Sequence, residues 1–217
     1  MRPLLKIMIV LAVIFGSTFM IARVTGVLTV ENVKLWLEMV QASRPGWVAG
    51  VVITLLFIDI IVSVPTLTIT ILAGFFLGFP LGFAASITGM SLAAFLGYGL
   101  SWRWGKLVIR AIIKDEEEHT TLQETFLRSG PPMIVLSRAA PMLPEITACL
   151  AGATRMPFQR YLLFYLLSTL PYAAIASYAG SVSTIDSPQP AIFAALFLYS
   201  VLWCSWFVFR KFRHKVS

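Results

Sequence analysis

The sequence predicts an all-α integral membrane protein, a polytopic helical bundle in which residues 1–217 form one membrane domain. Three observations predict this class: hydrophobic residue types make up 58% of the chain, charged types make up only 12%, and several long stretches carry almost no charge. A soluble domain has about 45–50% apolar and ~25% charged residues, so these charges are too few to cover a water-facing surface. A disordered chain would need the opposite balance.

The first half of the chain begins with a predicted transmembrane helix at residues 7–22, which is followed by a poor signal-peptide cleavage site and is expected to stay uncleaved. Residues 29–44 have apolar side chains at helical spacing, which predicts an amphipathic interfacial helix or a solvated connector. The apolar stretch 47–79 would be about 50 Å long as one helix, whereas the hydrocarbon core is ~30 Å thick. We expect Pro65 and the region of Gly74 and Gly78 to break it.

The second half contains a polar segment, a proline-rich apolar segment and a basic tail. Residues 103–129 carry five basic and five acidic side chains, which predicts a water-exposed cytoplasmic loop that is helical in part. Residues 130–152 contain four prolines, which disfavour a continuous helix. The tail at residues 210–217 is basic. Three further apolar runs predict spans at residues 80–102, 157–180 and 188–209.

The distribution of Lys and Arg distinguishes two arrangements of the stretches 47–79 and 130–152, because cytoplasmic segments carry an excess of these residues. If both stretches cross the membrane, 8 basic residues lie on each side; if both re-enter, 13 lie inside and 3 outside. The sequence therefore predicts two opposed re-entrant helical hairpins that form an inverted repeat within a core of residues 47–180, with both termini in the cytoplasm. The residues expected to break the hairpins are Pro65, Gly74, Pro141, Pro144 and Gly152.

Three charged residues stand in apolar surroundings, where a charge costs roughly 2.5–3.5 kcal/mol at a helix centre and usually faces a cavity or a partner. Arg138 is a predicted substrate-binding residue, because a guanidinium forks onto phosphate. Asp59 and Glu145 are predicted to couple transport to protons, and the alternative is a buried ion pair with Arg138 that only holds the hairpins together. Arg155 and Arg160 flank the second hairpin and either bind lipid headgroups or only fix the orientation.

Several function classes lack their motifs in this sequence. There is no glycine-rich nucleotide phosphate loop and no stacked aromatic array among the basic residues, so neither ATP as a driver nor nucleic acid as a partner is predicted. The histidines His119 and His214 lie in polar segments, which leaves a histidine nucleophile without a good candidate. We therefore predict that the protein is not an enzyme and has no metal site and no cofactor.

Residues 137–158 resemble the signature of the DedA superfamily, whose members are also called VTT-domain or SNARE-associated Golgi-type membrane proteins. The pattern is Arg-x-x-Pro, a Pro or Arg three residues later, Ala-Gly fourteen residues after the first Arg, and then Met and an aromatic residue. Pro144 stands where the DedA branch often has a second Arg, which favours the VTT-like branch. The positions that fit the pattern are Arg138, Pro141, Pro144, Gly152, Met156 and Phe158.

The resemblance implies two opposed re-entrant hairpins and movement of lipids across the bilayer, including undecaprenyl phosphate in bacteria, with dependence on the proton gradient; other members scramble phospholipids. By the same resemblance, Arg138 matches the motif arginine and Asp59 is similar to an acidic residue of a hairpin. We predict a transporter in the bacterial cytoplasmic membrane that translocates or scrambles a phosphorylated lipid, either a phospholipid or a polyprenyl phosphate, with proton coupling.

Two alternatives stay open at this point: a proton-coupled ion or small-solute transporter, and a membrane scaffold or assembly factor that docks through residues 103–128. The predicted partners are membrane lipids with anionic or phosphorylated headgroups, whereas the sequence leaves a homo-oligomer open.

Overall fold

A computed structural model of the chain describes residues 2–24, 32, 35, 45–61, 64–113, 115–140, 142–184 and 189–213. These residues form helices joined by turns and contain no β-strand, which confirms the all-α prediction. The helices with defined bounds are α1 (Arg2–Val24), α2 (Pro45–Ile58), α3 (Thr66–Ile112), α4 (Glu116–Leu136), a 3₁₀ turn (Ser137–Ala139), α5 (Leu143–Ala153), α6 (Phe158–Ser181) and α7 (Gln189–Arg213).

In the described part of the chain, two helices are long and apolar enough to cross a membrane by length and composition. They are the Thr66–Gly105 part of α3, with a mean hydropathy of 1.9, and α6, with a mean hydropathy of 1.4. These helices contain the predicted spans at residues 80–102 and 157–180. The predicted spans at residues 7–22 and 188–209 fall on α1 and α7, whose apolar stretches are shorter.

The first apolar stretch, residues 47–79, is not one continuous helix. It is interrupted between α2 and α3, and again inside α3, where Gly78 has φ 74° and ψ 169°. Only glycine adopts this backbone conformation readily. The break inside α3 comes at Gly78, within the expected region, whereas Gly74 lies inside the helical part of α3.

The second apolar stretch is broken just before Pro144, one of the residues expected to break it, and not at Pro131 or Pro132. Helix α4 continues through Pro131 and Pro132 to Leu136, and the chain then passes through the 3₁₀ turn to Met142, whose φ of 69° precedes α5. Gly152 was also expected to break the chain but lies inside α5.

The first half of the chain (α2 and α3) and the second half (α4 to α6) each contain a short helix that is followed by the same local pattern. In the first half the short helix is the part of α3 before Gly78, and in the second half it is α5. A residue with positive φ stands two positions before a proline: Gly78 precedes Pro80, and Arg155, with φ 57°, precedes Pro157. Proline suits the start of a helix, because its φ is fixed near the helical value and its missing N–H is not needed there. Each half therefore consists of a helix, a break, a short helix, a positive-φ turn and a long helix.

The polar segment 103–129 is mainly helical. Its first part completes α3, and its second part opens α4, where the Asp115 carboxylate accepts a hydrogen bond from the backbone N–H of Glu117 at 3.0 Å. An ion pair of 3.2 Å between Lys6 and Glu118 joins α4 to α1. The interfacial helix expected at residues 29–44 lies outside the described residues except for positions 32 and 35.

The short helix of each half packs against the long helix of the other half. Gly74, in the short first segment of α3, lies against the backbone of Ser177 in α6, and Gly152 of α5 lies against the backbone of Tyr98 in the long segment of α3. A Cβ atom at either glycine would overlap with that backbone. This close packing brings the break before α3 and the break before α5 together beside α6.

Candidate functional site

The charged residues predicted from the sequence meet where the two breaks come together. Asp59 follows α2, Arg138 lies on the 3₁₀ turn and Glu145 lies in the first turn of α5. Their side chains are buried, with exposed fractions of 5%, 8% and 8%. All three line the same two cavities, so Asp59 meets two residues that lie 79 and 86 positions later in the chain. We call Asp59, Arg138 and Glu145 the charged cluster.

Arg138 is held by a hydroxyl and an aromatic ring and not by a carboxylate. Its Nη2 donates a hydrogen bond to the hydroxyl of Thr169 at 3.1 Å, and its guanidinium carbon lies 5.2 Å from the centroid of the Tyr172 ring. Among the described residues, no carboxylate oxygen lies within ion-pair distance of this guanidinium, and the ion pair that does form joins Lys6 to Glu118. The geometry therefore disfavours the alternative of a simple buried ion pair and leaves N–H donors of Arg138 for an anion.

The two carboxyl groups of the charged cluster lie next to each other. Asp59 Oδ1 accepts a hydrogen bond from the backbone N–H of Val64 at 2.7 Å, which spans the break between α2 and α3. The Asp59 and Glu145 side chains line the same two cavities, and Oε2 of Glu145 is buried without a partner among the described residues. Two ionised carboxylates that share a buried site repel each other, so a proton on one of them stabilises the pair.

The larger of the two cavities has a volume of about 270 Å³ and reaches from the charged cluster to α7. Four of the residues that line it carry a hydroxyl group: Thr66, Thr68, Tyr172 and Tyr199. Tyr172 of α6 and Thr66 at the start of α3 therefore face the same space. Helix α7 contributes Ala195 and Tyr199, so this last helix forms part of the wall.

The smaller cavity has a volume of about 10 Å³ and is also lined by the charged cluster. Its wall includes Met90 and Ala93 of α3 and Tyr165 of α6. This volume holds about one water molecule. Both cavities are lined by Asp59, Arg138, Pro144 and Glu145, so the charged cluster borders a larger and a smaller space.

Two of the three predicted basic residues lie away from these cavities. Arg155 stands in the turn between α5 and α6, with its guanidinium carbon 4.0 Å from the ring centroid of Trp102. Arg160 is exposed in the first turn of α6. Of the predicted breaking residues, Pro65 and Pro144 line the larger cavity, whereas Pro141 lies outside the described residues.

Sequence reasoning missed the residues that hold Arg138. Thr169 and Tyr172 lie on α6, and they form part of a series of polar side chains spaced three or four apart in an otherwise apolar helix. That spacing places them on one helix face and was the available signal. Within the described residues, no group of three His, Cys, Asp or Glu side chains is arranged to hold a metal ion.

Comparison with known families gives one match. The family model described as VTT domain matches residues 64–182, which is more than half of the chain. The matched region contains Arg138, Glu145 and the whole of α6, whereas Asp59 precedes it and α7 follows it. The match confirms the resemblance seen in residues 137–158. No curated protein and no solved structure gave a significant match to the chain.

Proposed function

Because the chain belongs to the VTT domain family, whose members are membrane-associated and generally transporter-like, we propose that it moves a phosphorylated lipid between the two leaflets of a bilayer. The substrate is a phospholipid or a polyprenyl phosphate, and its headgroup phosphate binds to Arg138 in the larger cavity. The observation that carries this proposal is the buried guanidinium of Arg138, which lines that cavity without a carboxylate partner among the described residues.

A buried cation is costly unless an anion or a set of dipoles compensates for it. The ring of Tyr172 and the hydroxyl of Thr169 compensate in part, and both leave the planar fork of Arg138 able to bind two oxygen atoms. A phosphate supplies such oxygens and a full negative charge, so its binding compensates for the buried positive charge of Arg138.

The size of the larger cavity fits a headgroup and not a whole lipid. Sites for drug-sized ligands measure about 300–1,000 Å³, and this cavity measures about 270 Å³. The lipid tails would therefore stay in the hydrocarbon core. Exposed apolar side chains on α7, including Ile192, Phe193 and Phe197, offer them a surface next to the cavity wall.

Two opposed re-entrant hairpins would make this site accessible from each leaflet in turn. The two broken helical units and the exchanged short helices support that arrangement, and so does the count of 13 basic residues inside against 3 outside. Broken helices near the midplane are the usual location of substrate sites in transporters with inverted repeats. In this arrangement both termini and residues 103–129 are cytoplasmic.

Asp59 and Glu145 supply the proposed coupling to protons. Their neighbouring carboxyl groups and Arg138 carry a net negative charge when both acids are ionised, and one proton neutralises it. The charge of the cluster then changes between the loaded and the empty state, which is the differential interaction that a switch between two conformations requires. Arg155 and Arg160 are proposed to bind headgroups at the cytoplasmic edge before they reach the cavity.

A lipid-translocation assay on Arg138 variants tests the proposal. The purified protein is placed in liposomes of phosphatidylethanolamine and phosphatidylglycerol with a trace of fluorescent phosphatidylglycerol or fluorescent polyprenyl phosphate, and movement between leaflets is followed by chemical quenching of the outer leaflet. Arg138→Ala should slow movement roughly 10- to 100-fold, because a hydrogen bond to a charged group contributes about 1.5–3 kcal/mol. Arg138→Lys should retain part of the rate, since it keeps the charge but loses the fork.

The matched control is Arg128→Ala, which removes an exposed arginine of α4 that lines neither cavity. It should translocate lipid at the rate of the unaltered protein. The proposal is wrong if the unaltered protein moves neither probe, or if folded Arg138→Ala moves them as fast as the control.

A proton-coupled ion transporter is the second candidate, because the unpartnered Oε2 of Glu145 lies beside a cavity of about 10 Å³, a size that suits a small ion. Proton flux into protein-containing liposomes that responds to an added monovalent cation, with no movement of either lipid probe, would favour this candidate over lipid transport.

A further inference from the structure

Helix α6 carries a row of buried hydroxyl groups, and only those at one end of the row belong to the proposed lipid site. Tyr161, Tyr165, Thr169 and Tyr172 follow one another at spacings of four, four and three residues, which places them on one helix face. Their exposed fractions are 1%, 4%, 0% and 7%. At a rise of about 1.5 Å per residue the row is roughly 16 Å long, half the thickness of a hydrocarbon core.

The first two members of the row form an aromatic column with α3. The ring of Tyr98 stacks on Tyr161 at 5.2 Å between centroids, and the rings of Tyr161 and Tyr165 are 5.9 Å apart. The Tyr98 hydroxyl donates to the backbone carbonyl of Met156 at 2.7 Å, in the turn that opens α6. The column therefore begins at the end of α6 where Arg155 and Arg160 stand.

The hydroxyl groups of this column have capacity for further hydrogen bonds. Tyr161 is almost fully buried, and its hydroxyl has no partner among the described residues. The Tyr165 hydroxyl lies 3.3 Å from the hydroxyl of Ser91 on α3, and each of these groups can both donate and accept. A buried hydroxyl without a partner costs free energy that phenylalanine would avoid, so its presence here calls for a transient partner.

The column ends at the charged cluster. Tyr165 lines the smaller cavity together with Asp59, Arg138 and Glu145, and that cavity holds about one water molecule. The ionisable side chains around Tyr161 come from four elements: Tyr98 of α3, Tyr165 of α6, Cys149 and Glu145 of α5, and Arg138 of the 3₁₀ turn.

We propose that the hydroxyls of Tyr161 and Tyr165, with a water molecule in the smaller cavity, form a proton pathway from the N-terminal end of α6 to Glu145 and Asp59. Each hydroxyl accepts a proton on an oxygen lone pair and releases its own proton to the next group, so one proton passes and no group is changed. The pathway reaches Glu145 and Asp59 through the smaller cavity, whereas the headgroup binds in the larger one. The inference rests on the proposed function, because it supplies the proton that the carboxyl pair exchanges.

Substitution by phenylalanine tests the pathway, since it removes each hydroxyl and keeps the ring that packs in the column. The protein is placed in liposomes of phosphatidylethanolamine and phosphatidylglycerol that contain a trapped pH-sensitive dye, and proton influx is measured after a pH step. Tyr161→Phe and Tyr165→Phe should each slow protein-dependent proton influx roughly tenfold or more. Lipid movement without a pH gradient should stay at the rate of the unaltered protein.

The matched control is Tyr178→Phe, which removes a hydroxyl from the same helix at a side chain that is 58% exposed. It should leave proton influx unchanged. Unchanged influx in both Tyr161→Phe and Tyr165→Phe, or no protein-dependent influx at all, would overturn the pathway even if lipid moves. An equal loss of influx and of gradient-free lipid movement would also overturn it, because the column would then be structural. If influx depends on the two hydroxyls but neither lipid probe moves, the pathway stands and the proposed lipid transport fails.

Discussion

Asp59 has one structural role and one proposed role, because Oδ1 supports the backbone and the carboxyl group is proposed to exchange a proton. Oδ1 accepts from the N–H of Val64 at 2.7 Å, in a buried break between α2 and α3. The same carboxyl group lies beside Glu145. Two substitutions separate the roles, because an amide keeps a carbonyl acceptor but cannot exchange a proton near neutral pH, and alanine keeps neither.

We expect Asp59→Ala to lower the free energy of unfolding by about 1–3 kcal/mol relative to Asp59→Asn, because it leaves a buried N–H unpaired. Thermal unfolding in detergent measures the difference. Asp59→Asn should keep gradient-free lipid movement and lose its response to a pH gradient. Equal melting temperatures for the two variants would contradict the structural role of Oδ1.

The same residues show what the sequence alone could predict. Asp59, Arg138 and Glu145 were identifiable because a charge in an apolar stretch is visible without any neighbours. Thr169 and Tyr172 were not assigned, because a hydroxyl in an apolar helix is often satisfied by its own backbone, and only the folded chain shows that these side chains hold Arg138.

The short helices are the elements that place the charged cluster, and glycine is the reason that they pack so closely. A Cβ atom on Gly152 of α5 would overlap with the carbonyl of Tyr98 and would lie 2.8 Å from the backbone nitrogen of Trp102. Glycine serves both as a helix breaker and as a close-packing residue, so its position in a sequence does not say which role applies. Gly74 and Gly152 were predicted to break helices for this reason, whereas the structure uses them for packing.

We expect Gly152→Ala to lower the free energy of unfolding by about 1–3 kcal/mol, because the added methyl group forces α5 away from α3. The matched control is Gly99→Ala in α3, where a Cβ atom would meet nothing within 4 Å. The control should be neutral or stabilising by up to about 1 kcal/mol, since alanine favours the helix. Chemical unfolding in detergent compares the two, and equal stability would contradict the close packing of α5 on α3.

At the scale of the whole molecule, the larger cavity lies between two similar halves and is closed by an element that belongs to neither. Helix α7 follows the region matched by the VTT domain model, yet Ala195 and Tyr199 line the cavity. The sequence predicted that α7 spans the membrane but not that it lines the larger cavity, because an apolar pattern does not say which helices become neighbours. The count of basic residues predicted the opposed hairpins, and the exchange of short helices between the halves supports that arrangement.

The central claim is that a lipid phosphate binds at Arg138 inside the larger cavity. Photocrosslinking tests it most directly, with a phosphatidylglycerol or a polyprenyl phosphate that carries a photoreactive group next to its phosphate, followed by mapping of the labelled peptides. We predict labelling at Tyr172 and Tyr199, which line the cavity, in the unaltered protein and in Arg128→Ala, and its loss in Arg138→Ala. Labelling that is confined to the exposed faces of α1 and α7, or that is unchanged in folded Arg138→Ala, would contradict the account.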